Sequence, residues 1–373
     1  MRFSIAIPVY GQANFLSSAL ESIRVQAQDV EVAVMDATPD DSVQKVLDGY
    51  LDLLAYHRHG PDSGQASAIQ EGWDKTTGDI LAWLCADDYY FPDCLAAVRK
   101  VFVDHPEVDV VYGDCVFVDD RDNFLQYFPA IDSDISTITE SCCITQPSCF
   151  VRRTAMEKIG RLNSRLHYIM DWDLWTRLYR SGARFYYLNK PLSVARIYEG
   201  TKTSSHSWRR FYEIGRHLWN NTTSVAAVKS LIRFYKHDLL TLPSRKFERL
   251  LLTTLNAARL RLRRFRSAND ANKRFKYGLS LHGNEVINEA DIYLPWYSQI
   301  PPATLRIKCD LEITPIVQFN GLRLTAKPGA TFCYEVPPVN LSYHLLHIQL
   351  SSQEYKPWHL HRVEINTCGH ADA

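Results

Sequence analysis

Two adjacent carboxylates, Asp87 and Asp88, follow the apolar stretch of residues 80–85. Like charges side by side repel each other and titrate as a coupled pair unless a cation or hydrogen-bond donors hold them. A hard divalent cation such as Mg²⁺ or Mn²⁺ prefers oxygen ligands and bridges carboxylates to phosphate oxygens. The alternative is a solvated turn or a helix N-cap, because residues 91–93 look like the start of a helix. From these residues alone, the two interpretations have equal weight.

The elements that must position these carboxylates are short apolar runs, which alternate with longer amphipathic runs over the first 120 residues. Apolar strands separated by helices predict a parallel sheet covered on both faces. In such a sheet, ligands bind outside the carboxyl ends of the strands, which is where Tyr10, Asp36 and the Asp87–Asp88 pair fall. The predicted strands are Phe3–Val9, Val30–Met35, Ile80–Leu84 and Val108–Tyr112, and the predicted helices are Asn14–Gln26, Ser42–Leu53, Gln65–Lys75 and Leu95–Val103.

The connection after the first predicted strand, residues 8–14, contains a single glycine. A dinucleotide-binding unit requires the spacing G-x-G-x-x-G at this point, so the sequence argues against a nicotinamide-dependent dehydrogenase. A P-loop ending in Gly-Lys-Ser/Thr is absent as well, and a sugar nucleotidyltransferase is expected to carry a glycine-rich, basic loop here. The remaining hypothesis is a nucleotide that an aromatic side chain and carboxylates hold, with a metal neutralising its diphosphate.

The length of 373 residues predicts two or three domains. The 42 acidic and 42 basic residues balance, so no global field would recruit nucleic acid. The nine cysteines include no C-x-x-C pair, and the N-terminal sequence does not look like a secretory leader. With no uncharged apolar run of roughly 18 residues, we expect a cytoplasmic protein with reduced thiols, in which the sequons at Asn221 and Asn340 carry no meaning.

Two regions of different character follow residue 205. Residues 206–276 are predicted to be a helical, basic linker in which basic residues alternate with leucines over Arg245–Lys276. This stretch is either a solvated helix face or an amphipathic helix in peripheral contact with an anionic membrane. Residues 277–373 show period-two segments and turns such as Asn320-Gly321, which predict a separate antiparallel β-sandwich. Its aromatic residues form either a core or a stacking surface for a glycan, and they include Trp296, Tyr297, Tyr355 and Trp358.

Six stretches of the first 205 residues are each a weak indication of a protein family, but together and in this order they are a strong one. They are SIAIPVYGQANFLSSALESI, VAVMDATPDDS, GPDSGQASAIQEGW, GDILAWLCADDYYFPD, QPSCFVRR and MDWDLWTRLYRSG. In this order they resemble the inverting family 2 glycosyltransferases with the GT-A fold. The resemblance implies an α/β domain over residues 1–205, with a Rossmann-like, mostly parallel sheet and helices on both of its faces.

The resemblance also implies a site for a nucleotide-diphosphate sugar donor, and a UDP-sugar is expected. The family's DXD motif aligns with residues 86–88, so Asp88 would ligate Mn²⁺ or Mg²⁺, while Asp87 would contact the metal, the ribose or the diphosphate. The other residues that the resemblance assigns to the nucleotide are Pro8, Val9, Tyr10, Asp36, Asp62 and Gln65.

The sequence MDWDLWTRL, residues 170–178, contains the predicted catalytic carboxylate. On a helix, Asp171 near the start can point into a cleft while the leucines pack on another face. A carboxylate that complements the helix dipole is the structural alternative. The family's general base aligns with Asp171, and Met170 replaces the glutamate that precedes the base in the family. Asp173 ranks below Asp171 as a second candidate for the base.

Residues 194–204 resemble the family's Arg-x-His segment, but Tyr198 stands where histidine is common. The sequence leaves open whether Tyr198 or His206 takes the place of that histidine. Arg196 and Lys202 are predicted to neutralise the leaving diphosphate.

Two residues are predicted to lie near the acceptor. The family often places a Gln-Pro sequence there, which indicates Gln146, and Trp172 is predicted to stack on a sugar face. Trp175, in contrast, is expected to belong to the core.

The sequence therefore predicts an enzyme that moves a sugar from a nucleotide-diphosphate donor to a hydroxyl of a glycan or lipid-linked glycan. It would work in the cytoplasm, with peripheral contact at the inner face of the membrane and no nucleic-acid partner. The alternative is a catalytically silent carbohydrate-binding or assembly protein that uses the C-terminal sandwich. Asp87, Asp88 and Asp171 distinguish these two functions, and their presence favours the enzyme.

Overall fold

The structure, a computed structural model, describes residues 1–128, 135–202, 207–241, 285–286, 289–295, 302–309, 314–320, 322–325, 332–336, 345–352 and 358–367. The basic stretch Arg245–Lys276, residue His206 and the aromatic residues Trp296, Tyr297 and Tyr355 lie outside this range. In chain order, the described strands are β1 (Phe3–Val9), β2 (Val30–Asp36), β3 (Leu54–His59), β4 (Ile80–Trp83), β5 (Tyr89–Tyr90), β6 (Val110–Val118), β7 (Phe124–Phe128), β8 (Cys149–Arg152) and β9 (Phe185–Arg196). The later strands are β10 (Glu285–Val286), β11 (Glu289–Pro295), β12 (Pro302–Cys309), β13 (Pro315–Phe319), β14 (Leu322–Leu324), β15 (Phe332–Glu335), β16 (Leu345–Ser352) and β17 (Trp358–Thr367).

Eight α-helices lie within the described residues. They are α1 (Ala13–Arg24), α2 (Ser42–Leu47), α3 (Gln65–Asp74), α4 (Cys94–Asp104), α5 (Arg153–Ile159), α6 (Met170–Arg180), α7 (Trp208–Asn221) and α8 (Ser224–Thr241). The predicted helix over residues 42–53 is shorter than expected, because α2 ends at Leu47 and residues 51–53 form a 3-10 turn that leads into β3. The sequence analysis did not predict β3, whose exposed and half-buried positions alternate.

The first half of the chain forms a mixed sheet. Strands β3, β2, β1 and β4 are parallel neighbours in that order. Strand β8 pairs antiparallel with β4 on one side and with β6 on the other, and β6 pairs parallel with β9. The carboxyl ends of β1, β2 and β4 therefore meet at one edge of the sheet, as the alternation of apolar and amphipathic runs predicts.

Both faces of this sheet are covered by helices because its central strands are apolar throughout. All seven residues of β1 are buried, with Ile5 and Ile7 in the core beneath α1, α2 and α4. Ala6, between them, belongs to the core on the other face, which contains side chains of α3, α5, α6 and α7. This three-layer arrangement confirms the predicted α/β fold class.

The C-terminal strands are divided between two sheets. Strands β11, β16, β13 and β14 form a separate antiparallel sheet of four strands. Strands β15, β12 and β17 instead extend the main sheet, through a pairing of β17 with β7 at Val363 and Phe124. The two antiparallel layers enclose a core that also contains Tyr89 and Phe91 of the first half of the chain. The period-two pattern thus correctly predicts antiparallel strands, some of which join the first sheet.

Candidate active site

The Asp87–Asp88 pair lies in the short connection between β4 and β5. Strand β4 carries the chain to the carboxyl edge of the sheet, and β5 then pairs antiparallel with the end of β9 at Tyr89–Val194 and Tyr90–Ser193. Both carboxylates are nearly buried, at 8% and 7% exposure. A solvated turn is therefore excluded as the explanation for these charges.

Residues at the end of β9 and just beyond it hold the pair in place. The Tyr198 hydroxyl donates to Asp87 Oδ2 at 2.9 Å, and the Arg196 backbone N–H donates to Asp88 Oδ1 at 3.2 Å. Arg196 Nη1 donates to the Asp87 carbonyl oxygen at 2.6 Å. Tyr198, which replaces the family's histidine, thus contacts the carboxylate pair.

Arg196 is committed to protein groups. Its guanidinium donates to both carboxylate oxygens of Asp122, at 2.9 and 3.0 Å, and lies between the rings of Phe15 and Tyr89 at 4.7 and 4.6 Å. Only 4% of the residue is exposed. This geometry does not support the predicted direct contact of Arg196 with a diphosphate, because the guanidinium is buried and its hydrogen bonds go to Asp122 and to the Asp87 carbonyl. Arg196 instead positions the carboxylate pair.

The carboxylate pair fits a hard divalent cation. Burial raises the pKa of both carboxyl groups, and the charge of Asp87 raises the pKa of Asp88 further, so the two anions lack full compensation from the protein. Ligand atoms of Asp87, Asp88 and Cys85 all lie within 4.8 Å of one another. Burial also raises the pKa of the Cys85 thiol well above its usual value, so it stays neutral. The oxygens of Asp87 and Asp88 are therefore the suitable ligands for Mn²⁺ or Mg²⁺.

The residues assigned to the nucleotide lie along the same edge of the sheet. Pro8 and Val9 are the last residues of β1 and are buried, whereas Tyr10 is 69% exposed. Asp36 ends β2 and is 1% exposed; it accepts from the Thr38 N–H at 2.8 Å and contacts His59 Nδ1 at 2.7 Å. Neither Thr38 nor His59 was predicted: Thr38 lies two residues beyond β2, and His59 ends β3, a strand that is missing from the predicted elements.

Asp62 and Gln65 belong to the turn that begins α3. The Asp62 carboxylate accepts from the Gly64 N–H at 2.7 Å and is exposed, while Gly64 takes a left-handed φ of 102°. Gln65 Oε1 accepts from Lys202 Nζ at 2.6 Å, and Gln65 Nε2 donates to Cys85 Sγ at 3.4 Å. Asp62 thus shapes the turn that presents Gln65 to the carboxylate pair.

Gln146 extends this polar chain across the cleft. Its amide nitrogen donates to the Trp83 carbonyl at 2.6 Å, and its Oε1 accepts from Cys85 Sγ at 3.5 Å. Gln65 and Gln146 therefore contact the same sulfur atom. Gln146 thus lies beside Cys85, whose sulfur is close to the ligand oxygens of Asp87 and Asp88. Its predicted place near the acceptor stays a prediction.

Asp171 lies in the first turn of α6, half-buried, and accepts from the Trp172 N–H at 2.7 Å. Burial raises its pKa, while the Trp172 N–H and the nearby positive charge of Lys202 act in the opposite direction. Asp173 points elsewhere, since it forms an ion pair with Arg177 at 2.8 Å. Because the Arg177 guanidinium occupies the Asp173 carboxylate, the geometry favours Asp171 as the group that could accept a proton.

Glu213 of α7 supports the segment that leads into α6. Its buried carboxylate accepts from the His167 N–H at 3.1 Å and from the Tyr168 N–H at 2.8 Å, and it pairs with Arg209 at 3.1 Å. Lys202 Nζ donates to the His167 carbonyl at 3.2 Å. Glu213 and Lys202 thus fix both sides of one peptide segment, three residues before Asp171. Met170, in the place of the family's glutamate, is buried.

Trp172 does not face the cleft. It is 2% exposed, its indole N–H donates to the Ile138 carbonyl, and its ring contacts His217 and Phe234. The prediction that it stacks on a sugar is corrected, because α7 and α8 cover the side of α6 on which it lies. Trp175 is fully buried and stacks on Trp83, as expected.

Comparison with known proteins gives matches over the same region. The sequence profile of Glycosyl transferase family 2 matches residues 4–160. The PGL/p-HBAD biosynthesis glycosyltransferase of Mycobacterium tuberculosis is 31% identical over 187 residues, which are 48% of this chain and 71% of that protein. An uncharacterized glycosyltransferase of Rickettsia typhi is 26% identical over 218 residues, which are 54% of this chain and 66% of that protein.

Among solved structures, residues 1–349 of Staphylococcus aureus TarS in complex with UDP-GlcNAc are similar, with 17% identity and a TM-score of 0.49. The alignment covers 66% of this chain and 75% of that one. The mannosyltransferase PcManGT from Pyrobaculum calidifontis, in complex with GDP-Man and Mn²⁺, has 17% identity and a TM-score of 0.46 over 71% of this chain and 88% of that one. The profile match and the mycobacterial relative determine the family. The chain belongs to glycosyl transferase family 2.

Proposed function

We propose that this glycosyltransferase moves a sugar from a nucleotide-diphosphate donor to a hydroxyl group with inversion at the anomeric carbon. The carboxylate pair would hold the donor, and Asp171 would act as the general base. A UDP-sugar is the proposed donor, and a hexose the proposed sugar. The proposed acceptor is a glycan or a lipid-linked glycan of a bacterial polysaccharide.

The observation that carries this proposal is the convergence of charged groups around the Cys85 thiol. The ligand oxygens of Asp87 and Asp88 lie within 4.8 Å of this sulfur, and Gln65 links it to Lys202. Asp171 is also near, since its charge raises the pKa of the thiol while that of Lys202 lowers it. Sugar transfer needs a base beside the attacking hydroxyl and a binding site for the leaving diphosphate, both close to one anomeric carbon. Carboxylates that bind the donor and a candidate base near the same point meet this requirement. A silent binding protein would have no need for this arrangement.

The residues of the chain have separable roles in the proposed transfer. Asp171 accepts the proton of the acceptor hydroxyl as its oxygen bonds to the anomeric carbon, and the bond from that carbon to the diphosphate breaks on the opposite face. The raised pKa of Asp171 makes it a better proton acceptor than an exposed aspartate. Lys202, held by Gln65 Oε1, supplies a positive charge beside the leaving diphosphate.

The metal would be held by Asp88 and Asp87, with Arg196 and Tyr198 fixing the two carboxylates from behind. When bound, it would supply positive charge to the phosphate oxygens of the donor. Tyr10, Asp36 and Asp62 are the proposed contacts of the nucleoside, together with Pro8 and Val9.

The proposed location is the inner face of the membrane, where a lipid-linked acceptor would be extended. Within the described residues, no helix has both the length and the apolar character needed to span a bilayer. The domain limits at residues 205 and 276 and the membrane role of Arg245–Lys276 remain predictions.

Binding and transfer can be tested in one protein preparation. Calorimetry with UDP- and GDP-sugars should show binding in the presence of Mn²⁺ that a chelator abolishes. With an acceptor, NMR of the product should show an anomeric configuration opposite to that of the donor. Donor binding that is unaffected by the chelator would disprove the metal, and retention of configuration would disprove the role of Asp171.

A further inference from the structure

Helices α7 and α8 present large apolar side chains to solvent. On α7, Trp208, Tyr212 and Trp219 are spaced by four and seven residues, which places them along one side of the helix. On α8, the exposed apolar residues recur at intervals of three and four, which also defines one side. We call this surface the aromatic face; its residues are between 48% and 79% exposed, and they are Trp208, Tyr212, Trp219, Val225, Val228, Ile232 and Tyr235.

The two sides form one continuous surface. The rings of Trp208 and Tyr212 lie 6.4 Å apart, and Phe211 joins the helices through its ring contact with Tyr235 at 6.2 Å. Gly215 of α7 faces Leu231 of α8, whose side chain lies at ordinary packing distance from that position. The opposite side of α7 is buried against the body of the protein. The aromatic face therefore points away from the core that its own helices cover.

A cavity of about 430 Å³ borders the aromatic face, and Tyr212 belongs to both. Its two acidic residues are already paired, Asp173 with Arg177 and Glu213 with Arg209. Arg165 and Arg216 also line it, both are exposed, and neither forms an ion pair with a described acidic residue. Amide groups also line it, from Asn163, Asn220 and Asn221. This cationic cavity is suited to the phosphate group of a ligand.

We propose that the aromatic face and the cationic cavity together dock the protein on an anionic phospholipid membrane. Tryptophan and tyrosine prefer the interfacial region of a bilayer, where an apolar ring meets a polar group. Basic residues beside such rings attract anionic headgroups, whose phosphates would reach Arg165 and Arg216. The aromatic face, Arg165 and Arg216 lie outside the candidate active site, although the cavity shares Asp173 and Glu213 with the region around α6. Membrane docking does not depend on the proposed transfer.

Electrostatic complementarity favours a membrane as the partner of the aromatic face over the chain's own basic segment and over a second copy of the chain. Arg209, Arg216, Lys229 and Arg233 are exposed on α7 and α8. The segment Arg245–Lys276 contains eleven basic residues and only two acidic ones, Glu248 and Asp270, so covering the face with it would bring like charges together. A second copy related by a twofold axis would oppose the same arginines to each other. An anionic lipid surface complements all of these charges.

The test is flotation of the full chain with vesicles of phosphatidylcholine alone or mixed with phosphatidylglycerol. We expect recovery with the mixed vesicles that falls as salt is raised, because the attraction is screened. The double variant Trp208→Ser/Trp219→Ser should reduce the partition coefficient at least roughly tenfold, because it removes apolar area from the interface. Arg165→Gln and Arg216→Gln should each reduce it about fivefold.

Two variants on other surfaces serve as matched controls. Val103→Ser removes an apolar residue that is 60% exposed on α4, and Lys45→Gln removes an exposed charge on α2. Neither should change vesicle recovery. Wild-type recovery by the Trp208→Ser/Trp219→Ser variant would overturn the proposal.

Two further measurements would reveal whether the chain's own segment or a second copy covers the aromatic face. The melting temperature of the double variant should equal that of the wild type, because serine replaces rings that are exposed in the folded chain. A clear drop would indicate that the chain's own segment covers the face. A wild-type dimer that becomes monomeric in the variant, measured by light scattering without lipid, would assign the face to a second copy. Either result overturns membrane docking.

Discussion

The carboxylate pair and Asp171 are all acidic groups whose pKa is raised by burial, but the protein holds them differently. Two side chains at and just beyond the end of β9 bind the pair directly. The Tyr198 hydroxyl donates to the Asp87 carboxylate, and the Arg196 guanidinium donates to the Asp87 carbonyl oxygen. Asp171 accepts a hydrogen bond from the backbone of its own helix. Glu213 supports it only indirectly, by binding the peptide segment that precedes this helix.

This difference matches the two kinds of chemistry that the groups would perform. Carboxylates that bind a cation must keep their positions, and direct side-chain contacts restrict them. A general base must exchange a proton, so strong hydrogen bonds to its ionised form would lower its pKa and weaken it. The comparison therefore predicts that substitutions in the two regions fail in different ways.

The largest effect is expected from Asp171→Asn. Asparagine keeps the size and the capping ability of aspartate but cannot accept the proton, so transfer should fall by roughly 10²–10⁴-fold. Donor affinity, measured by calorimetry on the same preparation, should be unchanged. Asp173→Asn is the matched control on the same helix, and it should remain active because Asp173 only pairs with Arg177. If Asp173→Asn were inactive and Asp171→Asn active, the base would be Asp173.

Asp88→Asn should weaken donor binding, the function proposed for the carboxylate pair. We expect Mn²⁺-dependent donor affinity to fall by at least the roughly 10–100-fold that loss of an outer partner of a metal ligand costs. Tyr198→Phe, which removes the hydroxyl on Asp87, should have a smaller effect of the same kind. Calorimetry with and without Mn²⁺ gives both values. Unchanged affinity in Asp88→Asn would separate the pair from donor binding.

Glu213→Gln should slow transfer without weakening the donor site. The amide retains one acceptor for the His167 and Tyr168 N–H groups but loses the charge that strengthens those bonds, so we expect kcat to fall about fivefold. The KM for the donor should stay constant, because Glu213 does not contact the carboxylate pair. Glu213→Asp, which keeps the charge, should restore part of the rate. An increase in the donor KM alone would contradict this positioning role.

The smallest effect concerns stability and pH. Because burial raises the pKa of Asp171, the folded state binds a proton there more tightly than the unfolded state, whose ordinary pKa is 3.8. The ionised carboxylate therefore opposes folding at neutral pH, and Asp171→Asn should raise the free energy of unfolding at pH 7 by up to about 1 kcal/mol. The gain should disappear as the pH falls below 3.8. Denaturant titrations at both pH values would show it, and equal stability at pH 7 would contradict the burial of this charge.

The positions of many residues in the candidate donor site were predictable from the sequence, because the strand pattern determines them. Apolar strands separated by helices place the ends of β1, β2 and β4 at one edge, which brings Tyr10, Asp36 and the carboxylate pair together. Each of these residues lies at the end of a strand or within a few residues of it. The prediction therefore needs only the order of elements, without knowledge of side-chain directions.

The supporting residues were not predictable in the same way. Asp122 lies in the turn between β6 and β7 and looks like an ordinary turn residue, yet it binds Arg196 from 74 residues away. Glu213 is an isolated acid in a basic helix. The prediction that Trp172 faces the cleft was wrong for a different reason. Helical spacing shows which residues share a side of α6, but the packing of α7 and α8 determines which side is covered.

Tyr89 and Phe91, immediately after Asp88, are buried in the same core as Leu305, Trp358 and Val363 of the C-terminal strands. A region that shares its core with another tends to open together with it, as one cooperative unit. The loop that carries the carboxylate pair therefore owes its resistance to local unfolding to strands more than 200 residues later in the chain. Heat or denaturant that loosens those strands would therefore also loosen the loop that carries Asp87 and Asp88.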